Sequence, residues 1–307
     1  MNAVRIHEFG GPEVLKYEEV PRPEPGPGEA LVKVYAVGVN PIDWKTRQGL
    51  IPRYTFPLIL GRDFSGVVEA VGPGVTRVKQ GDEVYGMADP SKHGAYAEYT
   101  VVSESDIAPK PKSLDFVHAA AVPLAALVAW QTLFDTAHLS AGQTVLIQGA
   151  AGGVGHYAVQ LAIWKGATVI GTALDGDVKF VRELGADEAI EVTKARFEEV
   201  VHDVDVVLDL IGGDTQERSW QVLKKGGILV SSVGVKNPQA AEEHGVRAVA
   251  FVNQMNADEL ARIGELIDQG VVKPTVQTVM PLQDAAKAHE LLESQKVRGK
   301  IVLKVAD

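Results

Sequence analysis

Two rhythms of apolar and polar positions divide the chain. Up to about Pro111, short runs rich in β-branched and aromatic residues alternate with Gly and Pro: AVRIHEF (3–9), EALVKVYAVGV (29–39), FSGVVEAVG (64–72) and DEVYGM (82–87). Runs of this kind, punctuated by turn residues, predict strands. PRPEPGPGE (21–29) reads as a rigid polar connector between two of them. After Pro123 apolar strands alternate with segments of helical period. TVLIQGA (144–150), TVIGTAL (168–174), VDVVLDLIG (204–212) and GILVSSVG (227–234) are the strands; GVGHYAVQLAIWKG (153–166), DVKFVRELGA (177–186) and QERSWQVLKKG (216–226) are the helices between them. Such alternation predicts a parallel sheet covered by helices on both faces. VRAVAFVNQ (246–254) adds a last strand to that sheet. The tail from about Val271 returns to strand, then helix in LQDAAKAHELLESQ (282–295), then strand in GKIVLKV (299–305). The expected fold class is therefore α/β: a doubly wound, Rossmann-type parallel sheet plus a β-rich domain. The expected division is a first domain over 1–118, to which 270–307 returns, and a nucleotide-binding domain over 119–269.

The junction of the first strand and helix of the second half carries the clearest chemistry. Gly149, Ala150, Ala151, Gly152, Gly153, Val154 and Gly155 fit a dinucleotide-binding turn with Ala in place of its first glycine. Gly152 lets the backbone approach a pyrophosphate, Gly155 lets the helix lie close on the strand, and the free N–H groups of the helix start attract the anion. A carboxylate at the tip of the second strand would bind adenosine ribose hydroxyls and repel a 2′-phosphate. That tip carries Gly171, Thr172 and Ala173, with Asp175 and Asp177 following in an Asp-Gly turn and Lys179 within reach of a phosphate. NADPH is thus favoured over NADH. Ile211, Ser232 and Val233, at the ends of later strands, complete the expected cofactor-binding set of Ala150, Gly152, Gly153, Val154, Gly155, Thr172 and Lys179.

Composition narrows the chemistry further. The 307-residue chain has 46% hydrophobic and 23% charged residues and a formal net charge of -10, the profile of an ordinary globular protein that a nucleic acid or anionic membrane would repel. It has no cysteine, which removes disulfides, thiolate zinc sites, iron–sulfur clusters and cysteine nucleophiles. Its eight histidines show no metal-ligand spacing and are given no role. The N-terminus has no apolar core of signal-peptide length, and the alanine-rich stretch from Val117 to Phe134 suits a buried helix better than a membrane span. A cytoplasmic protein is the expectation.

AVGVNPIDWKTRQG (36–49), FPLILGRDFSGVVEAVG (56–72), VKQGDEVYG (78–86), GAYAEYTVV (94–102), PLAALVAWQTLF (123–134) and GAAGGVG (149–155) resemble, in this order, the zinc-independent medium-chain dehydrogenase/reductases, in particular the quinone oxidoreductase and enone (alkenal) reductase group. The resemblance covers nearly the whole chain. It implies a GroES-like β domain, a Rossmann domain, a cofactor cleft between them and a homodimer paired through the last sheet strand. Zinc-using relatives carry Gly-His-Glu where this chain has Gly61, Arg62 and Asp63. Without a Lewis acid, alcohol oxidation lacks a group to stabilise an alkoxide. Hydride transfer to a quinone, or to the β-carbon of an enone, instead moves charge onto a carbonyl oxygen that hydrogen-bond donors can stabilise. The resemblance places Asn40 beside the nicotinamide and Lys45 at its ribose or at the substrate carbonyl; these are the expected catalytic residues. A solvated surface position is the alternative for Lys45. Asp43 and Asp63 are supporting groups or partners of Arg47 or Arg62, Trp44 is packing, and Val128 stands where relatives often have Thr. Substrate contacts are expected from loops such as 47–56 and 235–250. The expected activity is NADPH-dependent reduction of quinones or α,β-unsaturated carbonyls, the alternative being an NADPH-binding protein with a structural or regulatory role.

Overall fold

The computed structural model describes residues 1–51 and 53–306. It divides into two compact units, one formed by Met1–Leu124, Met255–Gly270 and Pro274–Asp307, the other by Ala125–Gln254 and Val271–Lys273.

The first unit is built on the long strand Glu29–Val39, whose apolar residues fill both of its faces. It pairs antiparallel with Asp63–Val71, Tyr99–Ser103 and the C-terminal strand Lys300–Lys304. The last pairing has the register Ile301↔Val39 and Leu303↔Val37. Val32, Val34, Phe64, Val84, Ile301 and Leu303 form the core, closed by Leu282, Ala285 and Ala288 at the start of the C-terminal helical segment. The helix Pro41–Arg47 follows the long strand directly, starting at Asn40, whose backbone N–H is bonded by the Asp43 carboxylate at 2.8 Å. That contact satisfies the helix entry, and Pro41 presets its first turn.

The second unit is a six-stranded sheet, all parallel, in the order Glu188–Glu191, Thr168–Ala173, Thr144–Gln148, Val204–Asp209, Leu223–Ser231, Arg247–Ala250. Strand order reverses between Thr144–Gln148 and Val204–Asp209, the place where doubly wound sheets bind ligands beyond the strands' C-terminal ends. Leu146, Val207 and Leu229 from the sheet, with Phe197, Trp220 and Val222, fill one core of this unit.

Three sequence expectations need correction. The helix expected over 216–226 ends early: Gly213–Ser219 is helical, and Leu223 already begins the next strand, pairing with Val204 before a register shift. The last sheet strand is shorter than 246–254, covering Arg247–Ala250. The boundary at 269–270 also moves, because the helix Ala257–Asp268 joins the first unit. Its apolar face docks there: Tyr85 donates to the Leu260 carbonyl at 2.7 Å, and Asp268 accepts from the Lys112 and Ser113 amides at 3.1 and 2.8 Å. Alternation alone could not assign this helix, since its amphipathic period suits either unit.

Tyr85→Phe is expected to remove this buried hydrogen bond with little change of shape, lowering stability by about 1 kcal/mol. Faster amide exchange confined to 257–268 is the measurement that checks it.

Candidate active site

In the second unit the glycine loop has the geometry an anion requires. Gly149, at φ +74°, turns the chain out of the strand, and its N–H is held by the Thr172 hydroxyl at 3.2 Å. The helix Gly155–Lys165 starts directly against that turn. A β-carbon on Gly155 would lie 2.2 Å from the Gly149 carbonyl oxygen, so only glycine lets the helix approach this far. A β-carbon on Gly152 would meet only that same oxygen, at 3.3 Å, leaving its outer side open. The amides of Gly153, Val154 and Gly155 have no acceptor among the described residues. Unsatisfied donors at a helix start, with the positive end of the helix dipole behind them, fit a pyrophosphate.

Ile211 and Val233 converge on this loop. The Ile211 side chain lies over Gly149, and Val233 packs against Gly212. Both loops are shaped by Asp209, a residue the sequence reading passed over. Its carboxylate accepts from the Ile211 and Gly212 amides at 3.0 and 2.7 Å and from Gln216 and Ser231 at 2.7 and 2.8 Å. Ser232 donates its amide to the Asp209 carbonyl. Thr172, expected to touch the cofactor, is buried with its hydroxyl engaged by the loop, so its visible role is to shape the turn. Lys179 has an 87% exposed side chain that lies 3.4 Å from Glu183, one helical turn on.

In the first unit, buried polar side chains form two connected groups. Lys300 donates to the Val39 carbonyl at 3.0 Å and to the Asn40 side-chain oxygen, and lies 3.5 Å from Asp63. Asn40 donates to Asp63 at 2.9 Å, and the other Asp63 oxygen accepts the Leu124 amide at 2.9 Å. Asn40 is thus held in one orientation, buried and with both ends of its amide engaged. Burial pushes the Lys300 ammonium down and the Asp63 carboxyl up, while their mutual attraction opposes both shifts. The expected pairing of Asp43 or Asp63 with Arg47 or Arg62 is replaced. Asp63 pairs with Lys300, Arg47 with Glu293 at 2.7 Å, and Arg62 bonds the Tyr54 hydroxyl at 2.7 Å.

The second group runs from Arg47 to Asp43. Arg47 lies 3.3 Å from His289 Nδ1, His289 Nε2 lies 3.0 Å from the Tyr96 hydroxyl, and Tyr96 lies 3.4 Å from Asp43 Oδ2. Guanidinium has no acceptor, so His289 Nδ1 must accept and Nε2 must carry the proton. Burial, reinforced by Arg47, pushes His289 down to about 3. Burial also pushes the Asp43 carboxyl up to about 7, against the Asn40 amide and the Arg62 charge. Histidine spacing carried no signal for His289, because its partners come from distant segments.

Lys45 is half-buried on the same helix, its ammonium 5.7 Å from the Trp44 ring centroid. It has neither hydrogen bond nor ion pair among the described residues. No three His, Asp or Glu side chains among those residues are grouped as a metal site requires, and no helix among them is long and apolar enough to cross a membrane.

A β-rich unit joined to a six-stranded parallel sheet with a glycine loop is the architecture of the medium-chain dehydrogenase/reductases. Residues 26–112 match the family described as alcohol dehydrogenase GroES-like domain, and residues 184–303 match that described as zinc-binding dehydrogenase. The chain is 38% identical over 99% of its length, and 79% of the relative's, to an NADPH-dependent alkenal/one oxidoreductase, chloroplastic, of Arabidopsis thaliana. The quinone oxidoreductase structure from Coxiella burnetii superposes with a TM-score of 0.93 at 39% identity, covering 99% of each chain. That of Escherichia coli quinone oxidoreductase complexed with NADPH gives 0.92 at 32% identity, covering 99% of this chain and 100% of that one. The chain belongs to the medium-chain dehydrogenase/reductase superfamily, in its quinone oxidoreductase and alkenal/one oxidoreductase group.

The two buried titrating groups act on stability in opposite directions. His289 is depressed, so its contribution is present above about 6.5 and lost as pH falls toward about 3. Asp43 is raised, so its contribution is present below the unfolded value of 3.8 and lost as pH rises through about 7. Asp43→Asn should therefore remove a loss of stability between about pH 4 and 7. Urea unfolding of both proteins across that range, with the difference between them shifting steadily in favour of the variant as pH rises, is the expected result.

Proposed function

We propose that this protein is an NADPH-dependent reductase of quinones or of the carbon–carbon double bond of α,β-unsaturated carbonyls, working without a metal. The observation that carries the proposal is the glycine loop with its unsatisfied amides at the start of the helix Gly155–Lys165, in a chain related over its full length to NADPH-dependent alkenal/one and quinone oxidoreductases. Gly152, Gly153, Val154 and Gly155 hold the pyrophosphate, with Ala150 packed beneath. Ile211, Ser232 and Val233 line the rim at the ends of the sheet strands. Lys179 meets the 2′-phosphate, leaving Glu183 when it does so. The bound cofactor supplies a hydride, and the protein supplies position and donors for the charge that develops on the substrate oxygen.

In the first unit, Asn40 positions the nicotinamide, its amide fixed by Lys300 and Asp63. Lys45, whose ammonium has no hydrogen bond or ion pair among the described residues, serves the nicotinamide ribose or the substrate carbonyl. The substrate itself is a small molecule.

A panel of quinones and alkenals assayed by NADPH oxidation tests the reading. Turnover with at least one class is expected, with NADPH binding more tightly than NADH by cofactor fluorescence. Tight NADPH binding without turnover on any member would leave a binding protein instead. Lys179→Ala should weaken NADPH on the order of tenfold and leave NADH nearly unchanged. Lys45→Ala should lower kcat by about 10²-fold if the lysine serves the carbonyl, or lower cofactor affinity if it serves the ribose. No change in either quantity would return Lys45 to the solvated surface.

The strand Arg247–Ala250 is the edge of the parallel sheet, and Val252 just beyond it is 80% exposed. An open edge of this kind invites pairing, and the chain is proposed to form a homodimer through it. Light scattering at micromolar concentration should give twice the chain mass; the mass of a single chain would refute the dimer.

A further inference from the structure

The loop between the helix Pro41–Arg47 and the strand at Leu58 carries a buried tyrosine with a polar end. Tyr54 is 7% exposed, its ring packed into the core of the first unit. Its hydroxyl oxygen is 2.7 Å from an Arg62 nitrogen and 3.1 Å from an Arg53 nitrogen. Both arginines can only donate, so the oxygen accepts twice and its own proton points in a third direction. That proton meets no acceptor among the described residues. Neither guanidinium has a carboxylate within ion-pair distance among those residues, although the chain carries 40 Asp and Glu against 30 Lys and Arg. The neighbouring Asp89 carboxylate accepts instead from the Ser91 amide and hydroxyl at 2.9 and 2.7 Å.

Two guanidinium groups thus donate to one phenol oxygen, while the nearby Asp89 carboxylate is hydrogen-bonded to Ser91. The chemical effect is specific. Each N–H donated to the oxygen polarises the O–H and makes it a stronger donor, and the pair of positive charges favours negative charge on whatever accepts that proton. Position gives the donor its use. Arg62 immediately precedes Asp63, which is bonded to Asn40. The loop that holds Tyr54 also presents Leu50 and Phe56, 64% and 39% exposed, as apolar surface for a hydrocarbon or ring.

We propose that Tyr54 is a catalytic residue, its hydroxyl donating a hydrogen bond to the carbonyl oxygen of the quinone or enone, with Arg62 and Arg53 as the positioning residues. The proposal rests on the reductase reading above. A carbonyl oxygen has two lone pairs, so Tyr54 occupies one whether Lys45 serves that oxygen or the ribose. No proton transfer is required: the bond strengthens as charge moves onto the oxygen, which makes it worth more in the transition state than in the ground state.

The test uses two readouts, one of which needs no turnover. In the first, Tyr54→Phe, which keeps the ring and its packing, should lower kcat by about 10²-fold with NADPH affinity unchanged by fluorescence titration. Arg62→Gln should lower kcat as well, and Arg62→Lys, which keeps a donor and the charge, should recover part of the loss. In the second, the infrared carbonyl band of ¹³C-labelled acetophenone bound in the presence of NADP should lie at lower frequency in the wild type than in Tyr54→Phe. A kcat within about threefold of wild type in Tyr54→Phe would overturn the proposal, as would a wild-type protein that leaves the acetophenone band where free ketone has it. A wild type that shifts the band yet reduces no quinone or enone would retain Tyr54 as a carbonyl donor and sink the reductase reading alone.

Discussion

The ion pair between Lys300 and Asp63 is the constraint around which the first unit is organised. Both side chains are withdrawn from water, and an isolated ammonium or carboxylate there would cost several kcal/mol. Attraction repays that cost only when the remaining donors and acceptors are satisfied. Here they are: the Val39 carbonyl and the Asn40 side-chain oxygen take the ammonium, while the Asn40 amide and the Leu124 N–H take the carboxylate. The arrangement exists because the last strand pairs with the first long one in a register that sets Ile301 opposite Val39, leaving Lys300 beside Asn40. Residues 260 positions apart thereby fix one amide in one orientation. Removing either charge would leave the other buried and unpaired, which costs far more than the pair contributes.

A second chain of polar groups is directional for the same reason of donor and acceptor supply. Arg47 can only donate, so the tautomer of His289 follows, then the role of Tyr96 as acceptor from His289, and then its hydroxyl as a donor toward Asp43. The neutral imidazole is a requirement of this order, since a second proton would face the guanidinium. Asp43 ends the chain and also accepts the Asn40 N–H just before the helix that carries Lys45. Protonation at Asp43 therefore bears on the helix entry and not on a surface loop.

The fold was legible because its signals are local. The β-rich run at 29–39, the alternation of strand and helix after Pro123, and the small residues at 149–155 each sit within one stretch of chain. The structure reproduces the strand Glu29–Val39 to the residue and places the helix Gly155–Lys165 directly after the loop. What was not legible is what distant segments decide jointly. His289 had no spacing signal, because its partners come from positions 47 and 96. Asp209 gave no signal of its own within the strand VDVVLDLIG, yet it braces the loops at 211–212 and the Ser231 hydroxyl. The helix Ala257–Asp268 has an apolar face that fits any sheet, and its contacts with Tyr85, Arg77 and Ser113 reveal which unit it joins.

The two kinds of polar group in this protein obey opposite rules, and the difference locates function. Asp63, Lys300, Arg47 and His289 are buried and supplied with partners, so they are rigid and hold their neighbours, Asn40 among them, in one orientation. Among the described residues, the amides of Gly153, Val154 and Gly155, the Lys45 ammonium and the Tyr54 proton are donors without acceptors. Buried or half-buried donors are expensive to leave unmet, and every one of these carries or favours positive charge at its open end. Oxygen atoms bearing partial or full negative charge are the acceptors that such donors fit. A reduced dinucleotide and an unsaturated ketone or quinone would, on the proposed reading, bring such oxygens to these donors, while the hydrogen-bonded groups behind them hold the Asn40 amide and the helix entry in place.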